Sequence, residues 1–584
     1  MLERLQMDRG DRPNDEATAR LWSLLSVLYD PKTVEEWGPR FQKRLQGVAR
    51  PSNRASRWSE TDLLLIAYPD SFQAPGQVPL QSLRSFLTDR LPKVFSQVHL
   101  LPFYPYTSDD GFAVKDYQAV DPAHGEWADI RDLSGEAELM FDFVINHGSS
   151  AHPRFLEFLE DRPPGNRYFV TAPEELDVSG VTRPRASPLL QRYETARGDQ
   201  WVWCTFSRDQ VDWDFANPEV LYEFIDLLVN YLERGATWLR IDAVAYLWKQ
   251  AGTNCVHLPE VHAVVKLIRF VGECVSEDVK ILTETNVPLA ENLSYFGEGD
   301  EAHIVYNFSL PPILTHALLT GDGRRLTQWC RSLPELPEGC TYLNFTASHD
   351  GIGLRPAEGI LNREELGQLV GCVQASGGLL TQRSRPDGSV SPYEANIALF
   401  DLLGRDVEGP DAWQIERFLM SQAVMLAFEG VPAVYYNSIL ASSNHVEGFK
   451  KTGRNRTLNR KKWTLSEVDA RLSRGERAQA KVFARLKEML EMRKKQAAFH
   501  PECPQRCLVA DPRLFVLVRG AAGWEQQLLC VFNLSKDAVT VDKSDLGLDP
   551  EVGLENRFSQ GEVDETSQQL CLSPYAMAWL ELVS

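Results

Sequence analysis

The sequence predicts a (β/α)8 (TIM) barrel with an inserted loop domain after its third strand and a small antiparallel β domain behind it. Three observations predict this. From Asp62 to residue 437, eight short apolar runs alternate with amphipathic helical stretches, as in a parallel sheet covered on both faces. Four of these runs end in titratable residues, where a barrel builds its active site. After about residue 500 the pattern turns into short alternating β segments. The expected organisation is a helical N-terminal extension over 1–60, a barrel over 61–500 with insertions at about 148–216 and 375–412, and a β domain over 501–584.

Composition bounds the function. A chain of 584 residues, 43% apolar and 24% charged, has the make-up of a globular protein. Its formal charge of −20 argues against nucleic acid or an anionic membrane as partner. Ten cysteines are scattered with no C-x-x-C pair, which suits free thiols in a reducing compartment. The N-terminus lacks a signal-peptide core, and no apolar run approaches the ~20 residues that span a bilayer. A cytoplasmic protein without a cofactor is expected, and a homodimer is compatible with the composition.

In chain order, residues 1–60 read as helical and peripheral, with LWSLLSVLY as their apolar stripe. The apolar runs follow at 63–69, 97–103, 139–147, 238–244, 279–286, 303–308, 341–350 and 423–437. One intervening helix is fully punctuated: Asn217 can cap it, Pro218 opens it and Gly235 ends it. Its Val220, Leu221, Phe224, Leu227, Leu228, Tyr231 and Leu232 form one apolar face at helical spacing. In the β domain, strands are expected in RLFVLVRG, QQLLCVFNL, AVTVD and YAMAWLELV, with turns at GAAG and near Ser535.

The strand ends carry the chemistry: Asn146-His147, Arg240-x-Asp242, Glu284 and His349-Asp350. Strand periodicity puts Arg240 and Asp242 on one side, where the guanidinium should lower the carboxyl's pKa. Alone, such a pair is a structural ion pair more often than a catalytic one. Four charged ends at one mouth are harder to assign to structure, because each buried charge carries a desolvation penalty. Adjacent fourth and fifth strands would bring Asp242 and Glu284 to the ~5–5.5 Å that retaining glycoside chemistry uses. Repulsion from Asp242 and Asp350 should then raise the pKa of Glu284 and equip it to carry a proton.

FDFVINH, WLRIDAV, ILTETN and NFTASHD resemble, in order, the four characteristic regions of the α-amylase superfamily. The resemblance implies Asp242 as nucleophile, Glu284 as general acid/base and Asp350 as a clamp on sugar hydroxyls. It places His147, Arg240 and His349 around a glucose unit. Asn146 matches a calcium ligand of many amylases, but no carboxylate cluster stands beside it in the sequence, and no metal is expected. LPFYPYTSDDGFAVKDYQAVDP is similar to the second-strand loop of the sucrose phosphorylase subfamily, implying that Asp109 holds the far hydroxyls of glucose with Phe112 beside it. WVWCTFSRDQVDWD offers Phe206 as a platform and Gln210 as an acceptor contact, and RNRTLNR offers Arg460, with Arg456 the weaker choice.

Two chemistries remain: an α-glucosidase that uses water and a phosphorylase that uses phosphate. TRPRASP resembles the loop from which phosphorylases of this subfamily bring an arginine to phosphate, implying Arg185, with Arg183 as a second candidate. Tyr393 matches a loop tyrosine that completes that site. Together they favour transfer of a glucosyl group from a small α-glucoside to inorganic phosphate, giving α-D-glucose 1-phosphate. Sucrose phosphorylases read D-L-Y-Q where this chain reads Ser391-Pro392-Tyr393-Glu394, which weakens sucrose as the substrate. PDGSVSPYEAN and GTNCVHLPEVH resemble the glucosylglycerol and glucosylglycerate phosphorylases instead. A catalytically dead scaffold is disfavoured, because Asp242, Glu284 and Asp350 are all present.

Overall fold

The computed structural model describes residues 15–46, 56–185, 187–384, 390–521, 523–549 and 552–583. The first 14 residues, 47–55 of the N-terminal extension, and the Pro-Asp-Gly-Ser segment quoted above (386–389) lie outside the described residues. Eight parallel strands close a barrel: β1 (Leu64–Ala67), β2 (Gln97–Leu100), β3 (Glu138–Phe143), β4 (Ala236–Ile241), β5 (Lys280–Thr283), β6 (Ile304–Tyr306), β7 (Thr341–Asn344) and β8 (Val431–Tyr435). Each pairs with its sequence neighbours, and β8 returns to β1 with Leu64 opposite Ala433 and Ile66 opposite Tyr435. Nearly every strand residue is buried, which explains why the runs read as continuously apolar.

The eighth apolar run is not one element. Its first residues finish the helix Gln414–Ala427, and only Val431–Tyr435 forms β8. Gly430, at φ +126 with the Tyr342 carbonyl 2.5 Å from where a Cβ would sit, makes the break. Helix Pro218–Glu233 forms as its punctuation dictates: the Asn217 side chain accepts from the Glu219 amide (3.0 Å), and Gly235 follows at φ +105. It delivers the chain directly into β4.

The N-terminal helices Asp15–Leu28 and Pro31–Arg44 are less peripheral than their position suggested. Leu21, Leu25, Phe41 and Leu45 join the main core against the helices preceding and following β4. The insertion after β3 holds helix Pro153–Leu159 and a three-stranded sheet. The insertion after β7 folds back as an antiparallel hairpin, Leu379–Ser384 with Val390–Asn396. Beyond the barrel, Leu514–Arg519, Leu528–Asn533 and Met577–Val583 occupy expected runs of a five-stranded sheet. Its edge strand Gly553–Gln560 is polar and half exposed, so no apolar pattern announced it. Arg519 ties this region to the barrel by donating to the carbonyls of Ala427, His500 and Cys503.

Candidate active site

The mouth of the barrel opens into a pocket built from the ends of several strands and the loops that follow them. Strand register sets its floor. Ile241 lies opposite Thr283, so Asp242 and Glu284 are the next residues of adjacent strands, ~4.8 Å apart across the ladder. Arg240 lies opposite Asp142 of β3. Its Nη1 donates to both Asp142 and Asp242 (2.7 Å to the latter), and its Nη2 stands 3.9 Å from Glu284. His99 of β2 holds the other oxygen of Asp142 at 2.8 Å. One buried guanidinium therefore serves three carboxyls. After Asp242 the chain turns through Ala243 in the left-handed region (φ +50), and the Ala243 amide donates to Glu284 at 3.1 Å. A non-glycine residue there carries strain of ~1–3 kcal/mol, held by the surrounding structure.

The electrostatics correct one expectation and refine another. Burial raises the pKa of Asp242, and Arg240, already divided between partners, offsets this only in part. The expected lowering does not occur. Glu284 is pushed up to about 7, chiefly by burial, with Asp242 and Asp350 adding to the rise against Arg240. For Asp350 burial opposes ionisation, yet Arg456 and the charges of Arg240 and Arg460 hold it far below the carboxylate range. Burial pushes the His349 imidazole well below its ordinary value, leaving it neutral. The site thus pairs an acid protonated near neutral pH with a permanently ionised carboxylate.

Asp109, Phe112, His147, Phe206, Gln210, Arg240, Asp242, Glu284, His349, Asp350, Tyr393 and Arg185 all line the pocket. Phe112 stacks on His349 with centroids 5.2 Å apart. His147 lies against Phe206 and donates from Nε2 to the Phe112 carbonyl (3.1 Å). Gln210, expected at the acceptor, instead reaches Asp109 (3.3 Å) beside His147. Arg460 is the exception. It does not line the pocket but donates to Asp110 (2.6 Å) and the His349 carbonyl (2.8 Å). The short 3-10 turn Asn455–Asn459 points Arg456 inward and Arg460 behind it, reversing the expected order of the two. Arg456 bridges Asp350 (2.8 Å) and Glu394 (2.9 Å).

Sequence reasoning missed several wall residues: Tyr246 after β4, Thr285 and Asn286 after β5, and Glu394 beside Tyr393. Tyr246 sits four residues beyond Asp242, a spacing that could have flagged it. Arg185 leans against the rings of Phe206 and Tyr393, each 5.8 Å away, and makes no ion pair or hydrogen bond among the described residues. Arg183 does not line the pocket. The Asn146 amide is engaged by Lys249 (2.9 Å), which also pairs with buried Asp212 (2.8 Å). An ammonium thus supplies the positive charge at that position. No cluster of three metal-ligating side chains occurs among the described residues, and no described helix is long and apolar enough to cross a membrane.

Residues 93–332 match the α-amylase catalytic-domain family. The chain is 40% identical to the glucosylglycerate phosphorylase of Spirochaeta thermophila over 97% of this chain and 99% of that protein. It is 45% identical to the glucosylglycerate phosphorylase of Allomeiothermus silvanus over 82% and 86% of the two chains. Among solved structures, the sucrose 6F-phosphate phosphorylase from Thermoanaerobacter thermosaccharolyticum superposes with a TM-score of 0.71 at 21% identity, covering 84% of this chain and 97% of that one.

Proposed function

This chain belongs to the α-amylase superfamily, in its sucrose phosphorylase-like subfamily, and on that premise we propose that it phosphorolyses 2-O-α-D-glucosylglycerate. The products are α-D-glucose 1-phosphate and glycerate. The observation that carries this reading is the open guanidinium of Arg185. Arg240 and Arg456 are paired with carboxylates, whereas Arg185 faces the pocket and pairs with no anion among the described residues. Both phosphate and the glycerate carboxylate need such a cation, and a neutral glycerol does not. Two relatives printed as glucosylglycerate phosphorylases, at 40% and 45% identity, support the same acceptor.

The residues then take the following roles. Asp242 attacks the anomeric carbon as the bond to the glycerate oxygen breaks, and Glu284 gives its proton to that oxygen. Phosphate replaces glycerate at Arg185, Tyr246 and Tyr393, whose hydroxyls make no hydrogen bond among the described residues. A phosphate oxygen attacks the same carbon, Asp242 departs, and the phosphate proton passes to Glu284. Two inversions give net retention. Ionised Asp350 binds sugar hydroxyls, with His147 and His349 beside it.

The test incubates purified protein and phosphate with glucosylglycerate, glucosylglycerol or sucrose. Glucose 1-phosphate from glucosylglycerate is expected. Free glucose as the product would overturn phosphorolysis, and turnover of sucrose or glucosylglycerol alone would overturn the acceptor.

A further inference from the structure

Tyr393 and Glu394 are sequence neighbours on one strand, yet both line the pocket. In a regular strand they would face opposite ways. The hairpin register explains the exception: Thr381 pairs with Glu394 and Gln382 with Pro392, so Tyr393 is an extra, bulged residue. The bulge turns both side chains to one side. Glu394 then meets Arg456, taking Nη2 at 2.9 Å and Nε at 3.2 Å, while Asp350 takes Nη1 at 2.8 Å. All three guanidinium nitrogens are committed. Asn396 fixes the arrangement by donating to Glu394 (2.6 Å) and to the Asp350 carbonyl (2.8 Å).

Three arginines thus line one pocket; Arg240 and Arg456 are paired with carboxylates, and among the described residues only Arg185 is open to an anion. We infer that Glu394 is a specificity-determining positioning residue: its carboxylate closes Arg456 to anions, so that phosphate goes to Arg185 and stays out of the sugar-hydroxyl site. This rests on the reading that phosphate binds at Arg185. Without Glu394, two of the three nitrogens of Arg456 would face the pocket beside Asp350 as a second anion site, overlapping the place of glucose.

Glu394→Gln preserves shape and removes the charge. In this variant phosphate becomes a competitive inhibitor against the glucoside, with an inhibition constant at least about tenfold below that of the native enzyme, the scale of one charge-assisted hydrogen bond. Glu394→Asp keeps the charge and stays near the native value. Phosphate inhibition unchanged in Glu394→Gln, or raised equally in Glu394→Asp, overturns the inference. Binding of phosphate to substrate-free protein, followed by calorimetry, separates the two assignments. Arg185→Ala loses phosphate binding, and Arg185→Ala with Glu394→Gln regains it in a form that glucose displaces. If Arg185→Ala alone still binds phosphate, the Arg185 reading fails first and this inference with it. Should Glu394→Gln unfold, Arg456→Gln approaches from the other side: KM for the glucoside rises while KM for phosphate stays within about twofold. A phosphate KM that rises alongside overturns the inference.

Discussion

The proton on Glu284 offers the sharpest test of the site. Its carboxyl is pushed from an ordinary 4.5 up to about 7, chiefly by burial. That rise corresponds to about 3 kcal/mol favouring the protonated form. In a double displacement, kcat/KM for the glucoside reports only the first half-reaction, so the ionisation of phosphate does not enter. The value should fall about tenfold per pH unit above about 7, and an acid limb belongs to Asp242, whose carboxyl burial also raises. Glu284→Gln should lose about 100- to 10,000-fold on glucosylglycerate. On a donor with a good leaving group, such as α-glucosyl fluoride, it should recover activity, and the limb near 7 should vanish. A limb that persists in Glu284→Gln with the activated donor would refute the assignment. The sign for folding follows. The folded state binds this proton more tightly between pH 4.5 and about 7, so the carboxyl's contribution to stability is complete below 4.5 and is lost as pH rises through about 7.

Asp242→Ala should lower turnover by at least about 10,000-fold with natural and activated donors alike, because no leaving group replaces a nucleophile. Retained turnover on the fluoride would place the nucleophile elsewhere. Lys249→Met should leave Asp212 buried without its cation, at a cost of about 3–5 kcal/mol. A clear drop in the thermal unfolding midpoint is the expected record, whereas an unchanged midpoint would mean the pair is not what holds this loop.

Most of the barrel was legible because its signal is local. A parallel strand covered on both faces must be apolar throughout, and a catalytic residue at its end breaks that run where it can be seen, as Asp242 and Glu284 do. The eighth run failed for the same reason. Helix Gln414–Ala427 and strand Val431–Tyr435 are both buried on all sides, so neither leaves a period in the sequence, and only Gly430 marks the join.

The sequence by itself put Asp242, Glu284, His349 and Asp350 at the ends of their apolar runs, where a barrel builds its mouth. The tertiary structure decided how they share charge. Asp142, in register with Arg240, takes part of the guanidinium that Asp242 was expected to own, and burial outweighs what is left. Arg456, not Arg460, meets the pocket because a 3-10 turn sets their directions. One bulged residue brings Glu394 and Tyr393 to the same side. A pKa or the saturation of an arginine is a sum over neighbours from several strands and loops. Those neighbours come from positions as far apart as Asp109 and Arg456, and only the closed fold puts them together.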